Sequence, residues 1–335
     1  MVDKKIVTFG EIMMRLTPPD KKKIIQTDNF KVYYGGSEAN TAIALSMLGD
    51  KCSFVSSIPQ NEIGDSVLRY LMGLGVDVSY IKRCGERLGI YFSEMSSGFR
   101  GSNVIYDRKN SSFSKSTKED YDWDCIFENC DIFHFSGITP ALGEELVSIL
   151  EVACKKAKEK NITISVDLNY RKKLWDINIA REIMSKLCCM ADILITNESQ
   201  AQEIFDIYAG EKYIEGGHLD KDGIKLLSRK LCNKFNLKKT AITIRTTMSG
   251  DTNLLGSAVY QNLSDEIYFS HKYKMENMLD RIGGGDAFTA GILHTEINKS
   301  NIEFQAEFAI SASVLKHYIH GDAVLISEKE IVDFM

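Results

Sequence analysis

Short β-rich runs alternate with longer segments of helical period along most of this chain, and that alternation restricts the fold more than any other feature of the sequence. The runs are KIVTFG, CSFVSS, DIFHFSG, ITISVDLN, ADILITN and TAITIR; the segments between them include EANTAIALSMLG and GEELVSILEVACKKAKEK. Strands separated by helices are parallel neighbours whose crossovers cover the sheet. The spacing therefore predicts an α/β fold in three layers, with a mostly parallel central sheet flanked by helices. Those strands end at Gly10, Ser136, Asp167, Asn197 and Arg245. Polar and glycine residues there suit a ligand site outside the carboxyl ends of the strands. With 335 residues, 44% of them hydrophobic, the chain can bury a large core, and a single domain over 1–335 is expected.

Two stretches break the alternation, EIMMRLTPPDKKKIIQTDNFKVYYGG and LGIYFSEMSSGFRGSNVIYDRKNSS. Both read as strands joined by turns with no helix between them. They predict a small β-sheet lid, from about 12–35 and 88–115, inserted in the core; two ordinary surface hairpins satisfy the same periodicity.

The formal charge of -5 argues against nucleic acid or an anionic membrane as partner, since both recruit clustered Lys and Arg. Eight cysteines lie scattered without a CxxC pair, which reads as reduced thiols. The opening MVDKKIVTFG runs from lysines straight into a strand-like stretch, and no run of 18 or more apolar residues occurs. The expectation is a cytoplasmic protein.

The segment DRIGGGDAFTAGIL places three glycines, Gly283, Gly284 and Gly285, before Asp286 and a run of small residues. Glycines at a helix start let the backbone approach a ligand, while unpaired first-turn amides and the helix dipole favour an anion. A carboxylate beside an anion site is repelled unless it serves as a base toward a neighbouring hydroxyl. Together these suggest amides that hold a transferring phosphoryl group and Asp286 as the base on the attacking hydroxyl. A glycine-rich turn with Asp286 as a helix cap fits the same residues. Ala287, Ala290 and Gly291 would let the helix approach the sheet closely. No GxxxxGK[ST] loop, protein-kinase catalytic loop or early GxGxxG is present, so a phosphate site must be built otherwise.

DRIGGGDAFTAGIL resembles the C-terminal signature of the PfkB carbohydrate kinases, with Arg281 in place of the usual Thr or Ser. YGGSEANTAIALSMLG, residues 34–49, resembles the N-terminal one, whose later glycine is Pro59 here. Within that family the stretches RLGIYFSEM, NVIYDRKNS, FHFSGITPAL, SVDLNYRKKLW and KHYIHGD are most similar to 2-keto-3-deoxygluconate kinases. The resemblance implies a ribokinase-like fold and ATP-dependent phosphorylation of the C6 hydroxyl of 2-keto-3-deoxy-D-gluconate. It also implies Mg²⁺, and a homodimer or higher homo-oligomer built on the lid sheet. By the same resemblance, Gly36, Asn40, Tyr91, Tyr106, Arg108, Arg171 and Asp322 fall on substrate-contacting positions, Asp286 on the base and Gly283 to Gly285 on the anion hole. A keto acid carries a carboxylate that neutral sugars lack, and an arginine fork suits it. Arg108 on the lid and Arg171 after a strand could converge on one carboxylate, although either alone also reads as a structural ion pair.

The family's Asn-x-x-Glu motif corresponds to Asn197 through Gln200, so a glutamine stands where a carboxylate is usual, and the metal ligands stay unassigned. Asn197, Arg245, Gly250, Gly283 and Gly285 are the candidates for ATP. His317 and His320 read as capping or packing residues, with no third ligand nearby. A neutral-sugar kinase for fructose or ribose, and a non-catalytic binding relative that kept the fold, are the alternatives that Gln200 and Arg281 leave open.

Overall fold

The computed structural model describes residues 4–97, 100–208, 220–247 and 253–335. Seven strands run parallel, side by side: Ile81–Arg83, Lys51–Ile58, Lys5–Phe9, Ile132–Ser136, Thr163–Asp167, Ile193–Asn197 and Lys239–Thr247. All six β-rich runs of the sequence lie in this sheet. Beyond Lys239–Thr247 it turns antiparallel, first with Asn253–Gln261 and then with Glu266–Phe269 and Tyr273–Met275. This edge follows from hairpin connections, which carry no intervening helical period to signal them.

Successive residues of the inner parallel strands enter opposite cores, as burial on both faces requires. Val7, Phe9, Phe133 and Leu194 pack with Leu146, Leu150, Met184, Leu187, Leu227 and Leu231 from helices Glu144–Glu159, Ile177–Cys188 and Lys221–Phe235. On the opposite face Ile6 and Phe54 meet helices Ser37–Met47, Gly284–Ile297 and Ile302–Lys316, while Ile193, Ile195 and Ala241 meet the last two. The small residues of DAFTAGIL divide their work. Ala287 and Ala290 join this core, whereas Gly291 admits the neighbouring helix: a Cβ there would lie 2.6 Å from the Ala309 Cα.

The two interrupting stretches form a separate four-stranded sheet in the order Lys31–Gly35, Met13–Thr17, Gly89–Glu94, Asn103–Asp107, with the central pair parallel. Met13, Arg15, Tyr91 and Ser93 face inward and are buried; Met14, Leu16, Val32, Ile90, Phe92 and Ile105 on the other face are partly or fully exposed. Residues 108–115, expected in the lid, return to the main body because Phe113 is apolar and buries its ring 5.2 Å from that of Phe9. Among the described residues no helix is long and apolar enough to cross a membrane. All eight cysteines are free thiols.

Candidate active site

A cleft of about 1010 Å³ opens at the carboxyl ends of the parallel strands, walled on one side by Tyr91, Val104 and Tyr106 of the small sheet. Helix Gly284–Ile297 points its N-terminus into it. Each glycine of the run has its own reason to be there. Gly283, the N-cap, sits at φ +87°, and a Cβ on it would strike the main-chain carbonyl of Asp322. Gly284 packs its α-carbon against the His317 ring, while Gly285 has open space where a side chain would stand. A glycine N-cap supplies no side-chain acceptor, so no cap hydrogen bond consumes the first-turn amides. Those amides and the helix dipole suit this end to an anion.

Asp286 follows in the first turn with its side chain buried yet lining the cleft. Ser37 Oγ donates to its Oδ1 at 2.8 Å and Asn40 Nδ2 to its Oδ2 at 2.7 Å. Both donors come from helix Ser37–Met47, whose entry at Gly36 passes so close to the Glu11 carbonyl that a Cβ would collide with it. Asn169 Nδ2 donates to Ser37 Oγ at 3.0 Å and to Asp167 Oδ2 at 3.3 Å. A single network thus joins two carboxylates. Burial pushes the Asp286 carboxyl above its ordinary range; hydrogen bonds from Asn40 and Ser37 and the charge of Arg171 pull it back. Burial, reinforced by the negative charge of Asp286, pushes Asp167 up to about 7. A carboxylate with raised proton affinity, oriented by two donors and open to a cleft, is equipped to take a proton from a hydroxyl.

A second network holds the glycine run from behind. Arg15, buried on the small sheet, reaches Asp280 at 2.8 Å and Asp322 at 3.0 Å, and the Tyr91 hydroxyl donates to the other oxygen of Asp322. Asp280 in turn accepts from the amides of Ile282 and Gly321, both at 3.1 Å. Lid, glycine run and the turn at Gly321 are fastened by one guanidinium.

Of the two arginines expected to share a carboxylate, the structure brings Arg171 to the cleft. Arg108 is absent from the lining: it is buried, and its Nε and Nη2 both donate to Glu11 Oε2. Gly36, Asn40, Tyr91, Tyr106, Asp322, Gly283 and Gly285 all line the same space. Asn197, Glu198, Gln200, Arg245 and Arg281 line it as well. Asn197 caps helix Glu198–Phe205 by accepting from the Gln200 amide at 2.9 Å. Burial and the nearby charge of Arg281 lower the proton affinity of Arg245. Gly250 lies outside the described residues. His317 is buried and its Nδ1 contacts the Ser313 carbonyl, a packing role, whereas His320 is exposed. Among the described residues no group of three or more His, Cys, Asp and Glu could hold a metal ion. Asn197, Glu198 and Gln200 offer the side-chain oxygens in the lining that would suit a metal-bound water.

Sequence reasoning marked Asp167 only as a strand end facing the ligand site and passed over Ser37 and Asn169, although YGGSEAN and SVDLNYR contain them. It gave no role to Asp280, the first residue of DRIGGGD, and passed over Arg15, whose partners Asp280 and Asp322 lie far off in sequence.

A buried carboxylate at a glycine-led helix start, in a cleft between a parallel sheet and a small flanking sheet, is an arrangement suited to a kinase acting on a small molecule. Residues 3–321 match the model of the pfkB family carbohydrate kinases, and the chain belongs to that family. It is 30% identical over 331 residues to a 2-dehydro-3-deoxygalactonokinase of Haloferax volcanii, covering 98% of this chain and 95% of that one. The crystal structure of a 2-dehydro-3-deoxygluconokinase from Thermotoga maritima superposes with a TM-score of 0.93 at 41% identity, covering 98% of this chain and 97% of that one. A fructokinase from Xylella fastidiosa, solved with bound ATP, shares the fold at 17% identity and a TM-score of 0.78, covering 98% and 97%.

Proposed function

We propose that this carbohydrate kinase acts on a sugar acid, transferring the γ-phosphoryl group of ATP to the C6 hydroxyl of 2-keto-3-deoxy-D-gluconate. The observation that carries this reading is Arg171 in the same cleft as Asp286, a cation able to grip a carboxylate opposite a base able to activate an alcohol. Relatives named for 2-dehydro-3-deoxy sugar acids support it.

Arg171 binds the acid end of the acceptor, and Tyr91 and Tyr106 pack along it from the small sheet. This presents the far hydroxyl to Asp286. The γ-phosphoryl group lies before the amides of Gly284 and Gly285, which absorb negative charge as it transfers. Arg245 and Arg281 hold the remaining phosphates. Magnesium, when bound, neutralises charge on the phosphates. Arg108 acts from behind the cleft, where its pairing with Glu11 fixes the end of a lid strand.

The small sheet serves as a lid that excludes water competing for the phosphoryl group. Its outer face, with Met14, Leu16, Val32, Phe92 and Ile105, is apolar enough to pair with a second copy of the chain, which light scattering on the purified protein tests. The activity is tested by coupled ADP detection over 2-keto-3-deoxygluconate, 2-keto-3-deoxygalactonate, fructose and ribose. The highest kcat/KM is expected on a sugar acid. Preference for a neutral sugar overturns the substrate reading, and ligand binding without turnover across the panel overturns the activity.

A further inference from the structure

Lys316 ends helix Ile302–Lys316 and is fully buried. An ammonium stripped of water needs compensating oxygens. Its Nζ donates to the main-chain carbonyls of Gly321 at 2.9 Å and Ile319 at 3.2 Å. These carbonyls belong to the turn that carries Asp322, whose own carbonyl packs against Gly283 and whose carboxylate meets Arg15 and Tyr91. The lysine stem passes directly behind the helix start, for a Cβ on Gly283 would lie 3.0 Å from Lys316 Cε. Burial loosens the ammonium's hold on its proton, while the charges of Asp280, Asp322 and Asp286 strengthen it. Lys316 is not among the residues that line the cleft. Whatever it does for the reaction is exerted through its neighbours.

We infer that Lys316 is a positioning residue for phosphoryl transfer, a fixed cation that fastens the turn 319–322 behind Gly283 and sets positive charge beneath the amides facing the transferred group. The inference rests on the phosphoryl-transfer reading of this cleft. Two carbonyls converge on one point behind the N-cap, and an uncharged side chain there would leave them facing each other unneutralised. The turn would relax, and Gly283, whose seat is the Asp322 carbonyl, would relax with it. Negative charge develops on the phosphoryl oxygens during transfer, so a cation behind the amides acts more on the transition state than on the bound acceptor.

The test is Lys316→Gln, which removes the charge and shortens the side chain by one bond while leaving an amide N–H donor on the carbonyl side, measured on whichever acceptor the wild type turns over. We expect kcat to fall roughly tenfold or more with the acceptor KM changed by less than about threefold. Affinity for a non-hydrolysable ATP analogue, read by calorimetry, should weaken about threefold or more through loss of nearby positive charge, a readout that needs no acceptor. Lys316→Ala, which opens an ammonium-sized space beside the carbonyls, should lose kcat and regain part of it with ammonium or methylammonium chloride, but not with tetramethylammonium chloride at equal ionic strength. Wild-type kcat and analogue affinity in Lys316→Gln would overturn the inference. So would a loss in both variants that strikes acceptor binding equally and ignores every added cation. Should Lys316→Ala fail to fold, Lys316→Gln decides alone. A wild type inactive on every acceptor counts against the proposed function, and the analogue affinities still decide Lys316.

Discussion

Asn40 Nδ2 donates to Asp286 Oδ2 at 2.7 Å across a sequence separation of 246 residues. This bond joins the start of helix Ser37–Met47 to the start of helix Gly284–Ile297, which pack together on one face of the sheet. Each helix brings its first turn to the cleft, so the carboxylate and the side chains that orient it come from two helix N-termini. The arrangement favours an ionised Asp286 at a place where burial alone would neutralise it.

Asp286→Asn retains the shape of the side chain and removes its basicity. It should lower kcat by about 10²–10⁴-fold, while calorimetry shows acceptor and nucleotide affinity nearly unchanged. Thermal stability should hold or rise, because a buried carboxylate is replaced by a neutral amide. Retention of wild-type kcat would remove Asp286 from the role of base.

The acid limb of the kcat profile reports the same group. The active form is deprotonated, so activity is present above the pKa of Asp286 and lost as pH falls through it; because burial raises that pKa, the limb should lie above the usual carboxylate range. Asn40→Ala removes a donor that favours the ionised form and should move the limb to higher pH. Asp167, pushed up to about 7 by burial and by the charge of Asp286, is already protonated over that limb, so Asp167→Asn should leave the limb nearly where it is in the wild type. Limbs that coincide in the wild type and Asn40→Ala would contradict the assignment.

The parallel sheet was legible because its strands are separated by helices, and each β-rich run is short, rich in β-branched and aromatic residues and buried on both faces. The antiparallel edge after Thr247 was not, since a hairpin repeats the strand signal without the helical one. The glycine run marked a helix start with unpaired amides, and the structure brings that first turn to the cleft. Arg108 is instructive. Its residue type and strand suited a carboxylate, but only the fold reveals that Glu11 lies nearer than the cleft. The fastening role of Arg15 depends on Asp280 and Asp322, and contacts of such separation leave no trace in a local window.

The two arginines should separate when each is replaced by methionine. Arg171 is exposed in the cleft, so Arg171→Met should leave the melting temperature near that of the wild type. It should raise KM for a sugar acid roughly 10- to 100-fold through the lost charged hydrogen bonds, with little effect on a neutral sugar. Arg108 and Glu11 form a buried pair, and Arg108→Met strands the carboxylate at a cost of about 3–5 kcal/mol of stability. Adding Glu11→Gln to Arg108→Met should recover part of that loss in denaturant unfolding. Equal effects of both arginine variants on KM would return Arg108 to the acceptor site.

Gly284 and Gly285 are adjacent, yet alanine at each should fail differently. A Cβ at Gly285 meets nothing within 4 Å, so Gly285→Ala should fold with wild-type stability. A small gain is even expected, since alanine favours a helix over glycine by about 1 kcal/mol. Its methyl group would nevertheless occupy cleft space in front of the helix amides, where the γ-phosphoryl group is proposed to lie, and kcat should drop by roughly 10²-fold or more. A Cβ at Gly284 instead drives into the buried His317 ring, whose Nδ1 is held by the Ser313 carbonyl and which has little room to yield. Gly284→Ala should therefore lower the melting temperature as well as kcat, and a second change, His317→Ala, should restore part of the stability by opening the space. Thermal unfolding and turnover measured side by side check both. If Gly285→Ala kept full turnover, the amides at this helix start would not be what the phosphoryl group faces.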